Sequence, residues 1–328
     1  MKAVLFDQPG DAHQLHIGEA ETPQAKEREL LVKVHSFALN RMDILQREGK
    51  YPVPKTASPI LGVEMAGIVE RVGAKVSKFK EGDKVFGLMY GGAYAEYCVI
   101  NEDMAMHLPE GLSFQEGAAI PEAWCTAYQA LHWIGKIQKG DNVLIHAGAS
   151  GVGLAAIQLA KQAGAGKIFV TAGSSDKLDF CQTLGADILI NYKTESFKEK
   201  ILSSTDQHGV EIIVDFIGAN YWNDNVEILA TDGRMIMLAF MSGVQVENFN
   251  IAPLLRKRLR IEGSTLRSRS DEYQINLFKD ISNNVIPKFA NHELKIVVDK
   301  EFSWRNIVEA HQYMEANKNT GKIVVNID

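Results

Sequence analysis

Residues 142–153 combine the residue types that bind a phosphate group. An apolar, strand-like stretch at residues 142–147 leads into a glycine-rich turn, and a helical stretch follows at residues 152–163. A tight turn at Gly148 lets the chain reverse, Gly153 lets the helix approach the strand, and the helix N-terminus offers unpaired N–H groups. Ser150 replaces the middle glycine of the usual G-x-G-x-x-G pattern, so the order of strand, turn and helix carries the prediction. That order predicts a pyrophosphate site formed by Gly148, Ser150, Gly151, Val152 and Gly153.

The end of the next strand indicates which dinucleotide would bind. This strand, predicted at residues 167–171, is followed by Ala172-Gly173-Ser174-Ser175, where enzymes that use NAD carry a carboxylate for the ribose 2′-hydroxyl. A 2′-phosphate would be repelled by a carboxylate, but the Ser174 hydroxyl and the Lys177 ammonium could bind it. The sequence therefore predicts NADPH as the cofactor. Asp176 is the counter-argument, although it lies beyond the strand end and is expected to flank the next helix.

Two sequence patterns along the chain predict the strands and helices that carry these residues. Residues 1–121 contain short β segments separated by turn residues, at 30–36, 67–72, 84–88 and 94–100. From about residue 121, strands at 142–147, 167–171, 210–216 and 233–238 alternate with helices such as 152–163 and 175–184. A helix at 271–286 and β-like segments at 295–298 and 322–327 close the chain. The alternation predicts a doubly wound parallel sheet over residues 122–265, and the remainder, 1–121 with 266–328, predicts a discontinuous β-rich domain.

Composition excludes several other classes of protein. The chain has 328 residues, 46% of them hydrophobic and 23% charged, a balance typical of globular proteins and sufficient for two domains. A net charge of −6 argues against a nucleic-acid surface, and the basic run at residues 256–260 is interpreted as a solvated face. No apolar run approaches the roughly 18 residues that a membrane span needs. We expect a cytoplasmic protein whose three cysteines, Cys98, Cys125 and Cys181, are buried and unpaired.

Motifs along nearly the whole chain resemble the medium-chain dehydrogenase/reductase superfamily. They are Gly62-Val63-Glu64-Met65-Ala66-Gly67, Gly82-Asp83-Lys84-Val85, residues 146–153, Val214-Asp215-Phe216-Ile217-Gly218 and Thr320-Gly321-Lys322-Ile323-Val324. Within the superfamily the chain is similar to the zinc-free quinone oxidoreductases. Residues 38–43, 120–124 and 266–269 resemble the stress-inducible quinone oxidoreductases of animals in particular. The resemblance implies an α/β fold in which a Rossmann domain is joined to a GroES-like barrel domain.

The resemblance also identifies what this chain lacks. Zinc-dependent alcohol dehydrogenases of the superfamily carry a Cys at the position of Asn40 and a His at the position of Val63. Their third ligand falls near Pro121 or Glu122, and their four-cysteine structural lobe is represented here by Cys98 alone. A catalytic zinc ion needs three protein ligands, so we expect no bound metal. Without that Lewis acid, alcohol oxidation is not the expected reaction.

The chemistry that remains is hydride transfer to a small acceptor whose conjugated system spreads the developing charge, a quinone or an activated enone. The expected activity is that of an NADPH:quinone oxidoreductase. The resemblance implies an acceptor pocket between the domains, formed by Asn40, Met42, Leu45, Gln46, Tyr51 and Trp124, and cofactor contacts from Thr126 and Tyr192. Tyr51 is the candidate proton donor to the acceptor oxygen, and Asn40 could hold the acceptor or the nicotinamide ribose. Taken alone, Tyr51 could be a packed loop residue and Asn40 a turn cap.

Two other interpretations stay open. One is an NADPH-dependent reductase of activated double bonds, and the other is an NADPH-binding structural or RNA-associated protein. The resemblance further implies a homodimer in which edge strands near residues 261–266 pair across a two-fold axis.

Overall fold

The computed structural model describes residues 1–54 and 57–328. The chain forms two compact units: the β-rich unit, residues 1–125 and 266–328, and the parallel-sheet unit, residues 126–265. The first boundary, expected near residue 121, lies within a helix at residues 121–128. None of the helices in residues 1–54 and 57–328 is both long and apolar enough to cross a membrane.

The N-terminal part of the β-rich unit is formed by short strands, as the spacing of its turn residues predicts. Its strands are β1 (Lys2–Leu5), β2 (His16–Glu19), β3 (Glu29–Ala38), β4 (Glu64–Val72), β5 (Lys84–Leu88), β6 (Tyr97–Asn101) and β7 (Ala105–His107). Its helices are α1 (Arg41–Arg47), α2 (Phe114–Ala118) and α3 (Pro121–Tyr128). β3 is the central strand: it pairs antiparallel with β4 and with β6, while β4 pairs with β5 and β5 with β7.

The parallel-sheet unit alternates strands and helices. Its elements are β8 (Val143–Ile145), α4 (Gly151–Gln162), β9 (Ile168–Ala172), α5 (Ser175–Leu184), β10 (Ile188–Asn191), α6 (Phe197–Ser204), β11 (Val210–Asp215), α7 (Trp222–Ile228), β12 (Leu229–Met237), α8 (Ala252–Arg256) and β13 (Arg260–Gly263). All six strands are parallel, in the order β10-β9-β8-β11-β12-β13. The strand order reverses direction at β8, where doubly wound sheets bind their ligands.

The basic run at residues 256–260 lies in this unit, and two of its side chains bind other groups of the same chain. The Arg258 guanidinium pairs with the Asp232 carboxylate over 2.6 Å, and the Lys257 ammonium donates to the backbone carbonyls of Glu227 and Leu229. Two of its cations therefore serve local structure at the end of α8.

The C-terminal residues return to the β-rich unit. They form α9 (Asp271–Asn284), α10 (Ile286–Ala290), β14 (Val298–Ser303), α11 (Ile307–Glu315) and β15 (Lys322–Asn326). β15 lies between β14 and β3, parallel to the first and antiparallel to the second. It thereby brings Lys322, its first residue, next to Leu39, which follows β3.

The β segment expected at residues 295–298 is wrong in its bounds, because strand β14 starts only at Val298. Ile296 packs against the apolar cluster of Ala38, Ala119 and Val324, which accounts for the hydrophobic signal before the strand. The strand itself continues through exposed Asp299, Lys300 and Glu301. A search for buried side chains misses such an edge strand.

Gly67 allows β3 and β4 to approach at a point where their register shifts. A Cβ atom at this position would lie 2.1 Å from the Lys33 carbonyl oxygen, a backbone atom that cannot move without distorting the sheet. We expect Gly67→Ala to destabilise the β-rich unit by about 2–3 kcal/mol, measured as a lower urea midpoint. The control is Gly263→Ala, where no atom lies within 4 Å of the added Cβ. Equal midpoints for the two variants would contradict the close approach.

Candidate functional site

The glycine-rich turn after β8 differs in one respect from the turn expected at Gly148. The residue with left-handed backbone is Ala147, with φ of +47°, and not Gly148. Gly148 is required for a different reason: a Cβ there would lie 2.9 Å from Cβ of Val170 on the neighbouring strand. Gly153 is required for a similar reason: a Cβ there would lie 2.5 Å from the Gly148 carbonyl oxygen. The two glycines therefore allow the turn to pack closely against both β9 and α4.

Ser150 has a defined structural task in this turn. Its Oγ accepts the N–H of Gly153 over 3.0 Å and so caps α4 at its N-terminus. The first-turn N–H groups of Gly151 and Val152 are left at the positive end of a 12-residue helix. Such an end is suited to an anion. These residues fit a dinucleotide pyrophosphate.

A buried histidine braces the start of the turn. His146 Nδ1 lies 3.0 Å from Thr171 Oγ1 on β9, and its Nε2 lies 2.8 Å from Asn225 Oδ1 on α7. Because Asn225 Oδ1 can only accept, Nε2 carries the proton and Nδ1 accepts from the threonine. Burial lowers the pKa of His146 to about 4, so the ring is neutral. Sequence reasoning assigned His146 only to the strand and missed this role.

The ends of β9 and β10 bring together the residues expected to recognise the adenosine phosphate. Tyr192 is exposed, and its hydroxyl would lie 2.7 Å from a Cβ at Gly173. Ser174 precedes α5 but makes no capping hydrogen bond to it, and Lys177 follows in the first turn. The side chain of Lys193 also reaches Gly173, with Cε 3.3 Å from the same Cβ position. The sequence did not indicate Lys193, because strand ends are paired only in the folded sheet.

In the β-rich unit, Asn40 takes part in a buried ion pair. The Lys322 ammonium donates to Glu64 Oε1 over 2.6 Å, to Asn40 Oδ1 over 2.8 Å and to the Leu39 carbonyl oxygen over 2.9 Å. Asn40 Nδ2 donates to the same Glu64 oxygen over 2.8 Å. All three ammonium hydrogens thus have acceptors, and both ends of the Asn40 amide are engaged. The described part of the chain contains no group of three His, Cys, Asp or Glu side chains that could hold a metal ion.

A chain of buried hydrogen bonds fixes the start of α1, which follows directly after Asn40. Arg47 Nη1 lies 3.1 Å from His311 Nδ1, His311 Nε2 lies 3.3 Å from Tyr94 Oη, and Tyr94 Oη donates to Asp43 Oδ2 over 3.1 Å. Asp43 Oδ2 also accepts the backbone N–H of Asn40 over 2.8 Å. Arginine can only donate, so His311 Nδ1 accepts and Nε2 donates. Burial raises the pKa of Asp43 to about 6, and burial followed by the charge of Arg47 lowers that of His311 to about 3.

Arg267 links the next two predicted residues. Its Nη1 donates to Gln46 Oε1 over 2.7 Å, and its guanidinium lies 5.8 Å from the centre of the Tyr51 ring. Its Nε donates to the Tyr90 carbonyl oxygen over 2.7 Å, so the buried side chain is held at both ends. The resemblance included Arg267 only as part of a matching segment. Its position between Gln46 and Tyr51 depends on the fold and was not predicted.

Glu122 joins the Asn40 cluster from α3. Its backbone N–H donates to Glu64 Oε2 over 2.8 Å. Burial, and then the charge of Glu64, raises the pKa of Glu122 to about 8, which Lys322 and Arg267 only partly offset. The carboxyl group is therefore protonated near neutral pH. Sequence reasoning considered Glu122 only as a position that lacks a zinc ligand.

The remaining predicted residues differ in exposure. Met42 and Leu45 are partly exposed on α1. Trp124 is buried, and its ring meets the Phe289 ring edge-on at 4.8 Å between centres. Thr126 is buried on α3. The structure therefore places Trp124 in the core and leaves Met42 and Leu45 partly exposed on α1.

We expect the Lys322–Glu64 pair to be strongly coupled. Lys322→Met leaves the Glu64 carboxylate buried beside an amide, which costs about 3–5 kcal/mol of unfolding free energy. Glu64→Gln in the same chain removes that charge, so the double variant should be more stable than Lys322→Met alone. Urea unfolding of both single variants and the double variant gives the coupling energy. Additive losses would show that the pair contributes nothing as a pair.

Comparisons with known proteins agree with this arrangement. Residues 26–110 match the family model described as alcohol dehydrogenase GroES-like domain, and residues 151–281 match the model described as zinc-binding dehydrogenase. The quinone oxidoreductase-like protein 2 homolog of Nematostella vectensis is 32% identical over 297 residues, which are 90% of this chain and 80% of that protein.

Two solved structures are similar over the full length. Escherichia coli quinone oxidoreductase, complexed with NADPH, has a TM-score of 0.90 and 29% identity, with 100% of both chains covered. CurK enoyl reductase has a TM-score of 0.88 and 27% identity, with 100% of this chain and 99% of that chain covered. These matches confirm the predicted fold class, a Rossmann domain with a GroES-like domain. The chain therefore belongs to the medium-chain dehydrogenase/reductase superfamily, in its quinone oxidoreductase-like branch, and is an oxidoreductase.

Proposed function

We propose that this protein binds NADPH and reduces a small conjugated acceptor, with a quinone as the foremost candidate. The similarity to Escherichia coli quinone oxidoreductase, which was solved with NADPH, supports both parts of the proposal. Bound NADPH supplies the hydride. The protein's own residues bind the two reactants, orient them and provide charge and protons.

The cofactor proposal rests on two groups of residues in the parallel-sheet unit. Gly151, Val152 and the close-packed glycines at 148 and 153 provide an anion site at the N-terminus of α4. Ser174, Tyr192 and Lys193 lie at the ends of β9 and β10, and Lys177 follows in the first turn of α5. No carboxylate stands directly after β9, at the position that selects NAD. That set suits a 2′-phosphate.

The observation that carries the choice of acceptor is the Lys322 ammonium at Asn40 and Glu64. In zinc-dependent members of the superfamily this region supplies metal ligands. Here Asn40 and Glu64 are saturated by an ammonium group 2.8 Å and 2.6 Å away, whose charge would repel a divalent cation. We therefore propose catalysis without a metal. An acceptor that is already activated by conjugation suits such a site, because it needs no Lewis acid.

Several side chains of the β-rich unit would act on such an acceptor. Met42 and Leu45 offer apolar surface on α1, and the Tyr51 ring lies against the Arg267 guanidinium. A buried cation beside the acceptor stabilises negative charge that develops on an acceptor oxygen. Arg267 would act from its fixed position between Gln46 and the Tyr90 carbonyl.

A reductase of activated double bonds is the second candidate, supported by the similarity to CurK enoyl reductase. The two reactions need the same hydride and differ in whether an oxygen or a carbon receives the proton. Steady-state NADPH oxidation with a panel of ortho- and para-quinones and of alkenals separates them. We expect the highest kcat/KM with a quinone, and rates that a chelator leaves unchanged. NADPH binding without turnover on any acceptor would favour a structural or RNA-associated role.

We further propose a homodimer formed along β13. This strand is at the edge of the six-stranded sheet, and most of its side chains are exposed. An unpaired edge can pair with the same edge of a second copy across a two-fold axis.

Cofactor preference gives a sharper test. Lys177→Ala should raise the KM for NADPH roughly tenfold, or about 1.4 kcal/mol, while leaving the KM for NADH nearly unchanged, because only NADPH carries the 2′-phosphate. Higher salt should reduce the difference between wild type and variant, since the contact is partly exposed.

Lys139→Ala is the matched control for this experiment. It removes the same charge from an exposed lysine that precedes β8, at the opposite end of the parallel strands. Neither KM should change in this variant. A wild-type preference for NADH, or equal weakening of both cofactors by Lys177→Ala, would contradict the assignment of Lys177 to the phosphate.

A further inference from the structure

A cavity of about 320 Å³ lies in the parallel-sheet unit, and none of the residues assigned to the cofactor lines it. Small-molecule pockets in proteins usually have volumes of about 300–1,000 Å³. Eight residues line the cavity and none of them is titratable; the larger ones are Trp222, Met237, Phe240, Val244, Val246 and Phe249. An uncharged wall of aromatic and aliphatic side chains suits a neutral, apolar ligand, because a charged group would lose its hydration there without gaining a partner.

Hydrogen bonds hold the two sides of the cavity wall together. The Ala219 N–H donates to the Gly243 carbonyl oxygen over 3.1 Å, and Ser242 Oγ donates to the Ile217 carbonyl oxygen over 2.8 Å. These bonds fix the loop that follows β12 against the segment that follows β11. The four polar groups satisfy one another, so this part of the wall offers a ligand apolar surface.

Two of the apolar side chains that line the cavity are exposed. Phe240 is 54% exposed and Val244 is 72% exposed. Large apolar side chains that are exposed together at a concave site are typical of a surface that binds a ligand or a partner. The proposed dimer edge does not account for them, because β13 and α8 contribute no residue to the described lining. A hydrocarbon chain in the cavity would cover both side chains.

The cavity lies at the edge of the sheet where the cofactor is proposed to bind. Met237 is the last residue of β12, and Ala219 follows shortly after β11. Because β8, β11 and β12 are parallel neighbours, their carboxyl ends lie at one edge. The residues proposed for the adenosine phosphate lie at β9 and β10, on the other side of β8. The hydride-carrying half of a dinucleotide would therefore extend toward β11 and β12.

We propose that this cavity binds a hydrocarbon chain carried by the acceptor. The inference rests on the proposed function, because hydride transfer brings the acceptor to the side of the sheet where the cavity lies. The substrate class is then a quinone with a prenyl or alkyl side chain. A long alkenal carries the same kind of chain, whereas an acceptor with a charged tail does not suit the uncharged wall.

The kinetic test uses NADPH and two benzoquinones that differ only in a geranyl chain. Each protein is described by the ratio of kcat/KM with the chain to kcat/KM without it, so that the effect of the chain on redox potential cancels between proteins. Val244→Asp should lower the wild-type ratio roughly tenfold, which corresponds to the burial of about two CH₂ groups. Ile251→Asp is the matched control and should keep the ratio, because Ile251 is 68% exposed but does not line the cavity.

Propenal and decenal repeat this comparison for alkenals. A chain effect with the alkenals and none with the quinones would overturn the assignment of the chain to a quinone. Equal ratios in wild type and Val244→Asp with both kinds of acceptor would overturn the proposal as a whole.

A second measurement needs neither NADPH nor an acceptor. Trp222 lines the cavity, so geraniol, which is the chain as a free alcohol, should change the tryptophan fluorescence of wild type in a saturable way. The change should be lost in Trp222→Phe, weakened in Val244→Asp and kept in Ile251→Asp. The absence of a saturable change, or a change that Trp222→Phe keeps in full, would contradict binding in this cavity.

Analytical ultracentrifugation tests a second copy of the chain as the competing occupant. Dissociation of Val244→Asp into monomers, with an unchanged ratio of kcat/KM, would show that a second copy covers the cavity and would overturn the proposal. A wild-type protein that binds geraniol and NADPH but reduces neither quinones nor alkenals would refute the proposed function instead. The fluorescence titration would still decide whether the cavity binds a hydrocarbon chain.

Discussion

The ion pair between Lys322 and Glu64 is the constraint on which the β-rich unit depends. The two residues are 258 positions apart in the chain, and both are buried. Neither charge could be left in this interior alone, because an unpaired buried ion costs several kcal/mol. The C-terminal strand β15 therefore has to return to pair with β3 after the chain has completed the parallel-sheet unit. The pair also fixes the Asn40 amide, which lies between its two charges.

The second constraint acts on α1 and comes from a chain of directed hydrogen bonds. Each side chain in this chain of hydrogen bonds has one orientation that satisfies its neighbours; the four are Arg47, His311, Tyr94 and Asp43. These bonds fix the position of α1, a short helix that would not be stable alone. Asp43 Oδ1 is buried and has no hydrogen-bond partner in the described part of the chain. Its other oxygen holds the backbone of Asn40. The network thus positions Asn40 from the backbone side, while the ion pair positions it through the side chain.

Local signals in the sequence were sufficient for much of the fold. The strands at 84–88 and the helix at 175–184 follow from turn residues and apolar periodicity, and their bounds agree with β5 and α5. The dinucleotide turn was recognisable because strand, turn and helix are contiguous. The role of Gly153 in close packing was predicted, but the role of Gly148 was not, because its contact with Val170 depends on how the next strand packs.

The cluster around Glu122 lay beyond sequence reasoning for a physical cause. Its members come from α1, the segment after α1, β4, α3, the segment between β13 and α9, and β15, so no spacing along the chain brings them together. From the sequence alone, the lysine in Thr320-Gly321-Lys322 would be expected on the surface, because lysine is almost never fully buried unless it is paired. Likewise, Arg267 and Tyr51 come from distant segments, and a titration shift arises only once burial and neighbouring charges are known.

The kind of cation beside Glu64 determines how the site can activate an acceptor. A divalent metal would hold neighbouring carboxylates in their ionised form as ligands and would activate an acceptor by polarising its oxygen. An ammonium carries half that charge, and here its three hydrogens are used by Glu64, Asn40 and the Leu39 carbonyl. It neutralises the Glu64 carboxylate and has no hydrogen left for an acceptor oxygen. Under the proposed metal-free function the Lys322 ammonium therefore does not polarise an acceptor oxygen, which suits an acceptor that conjugation has already activated.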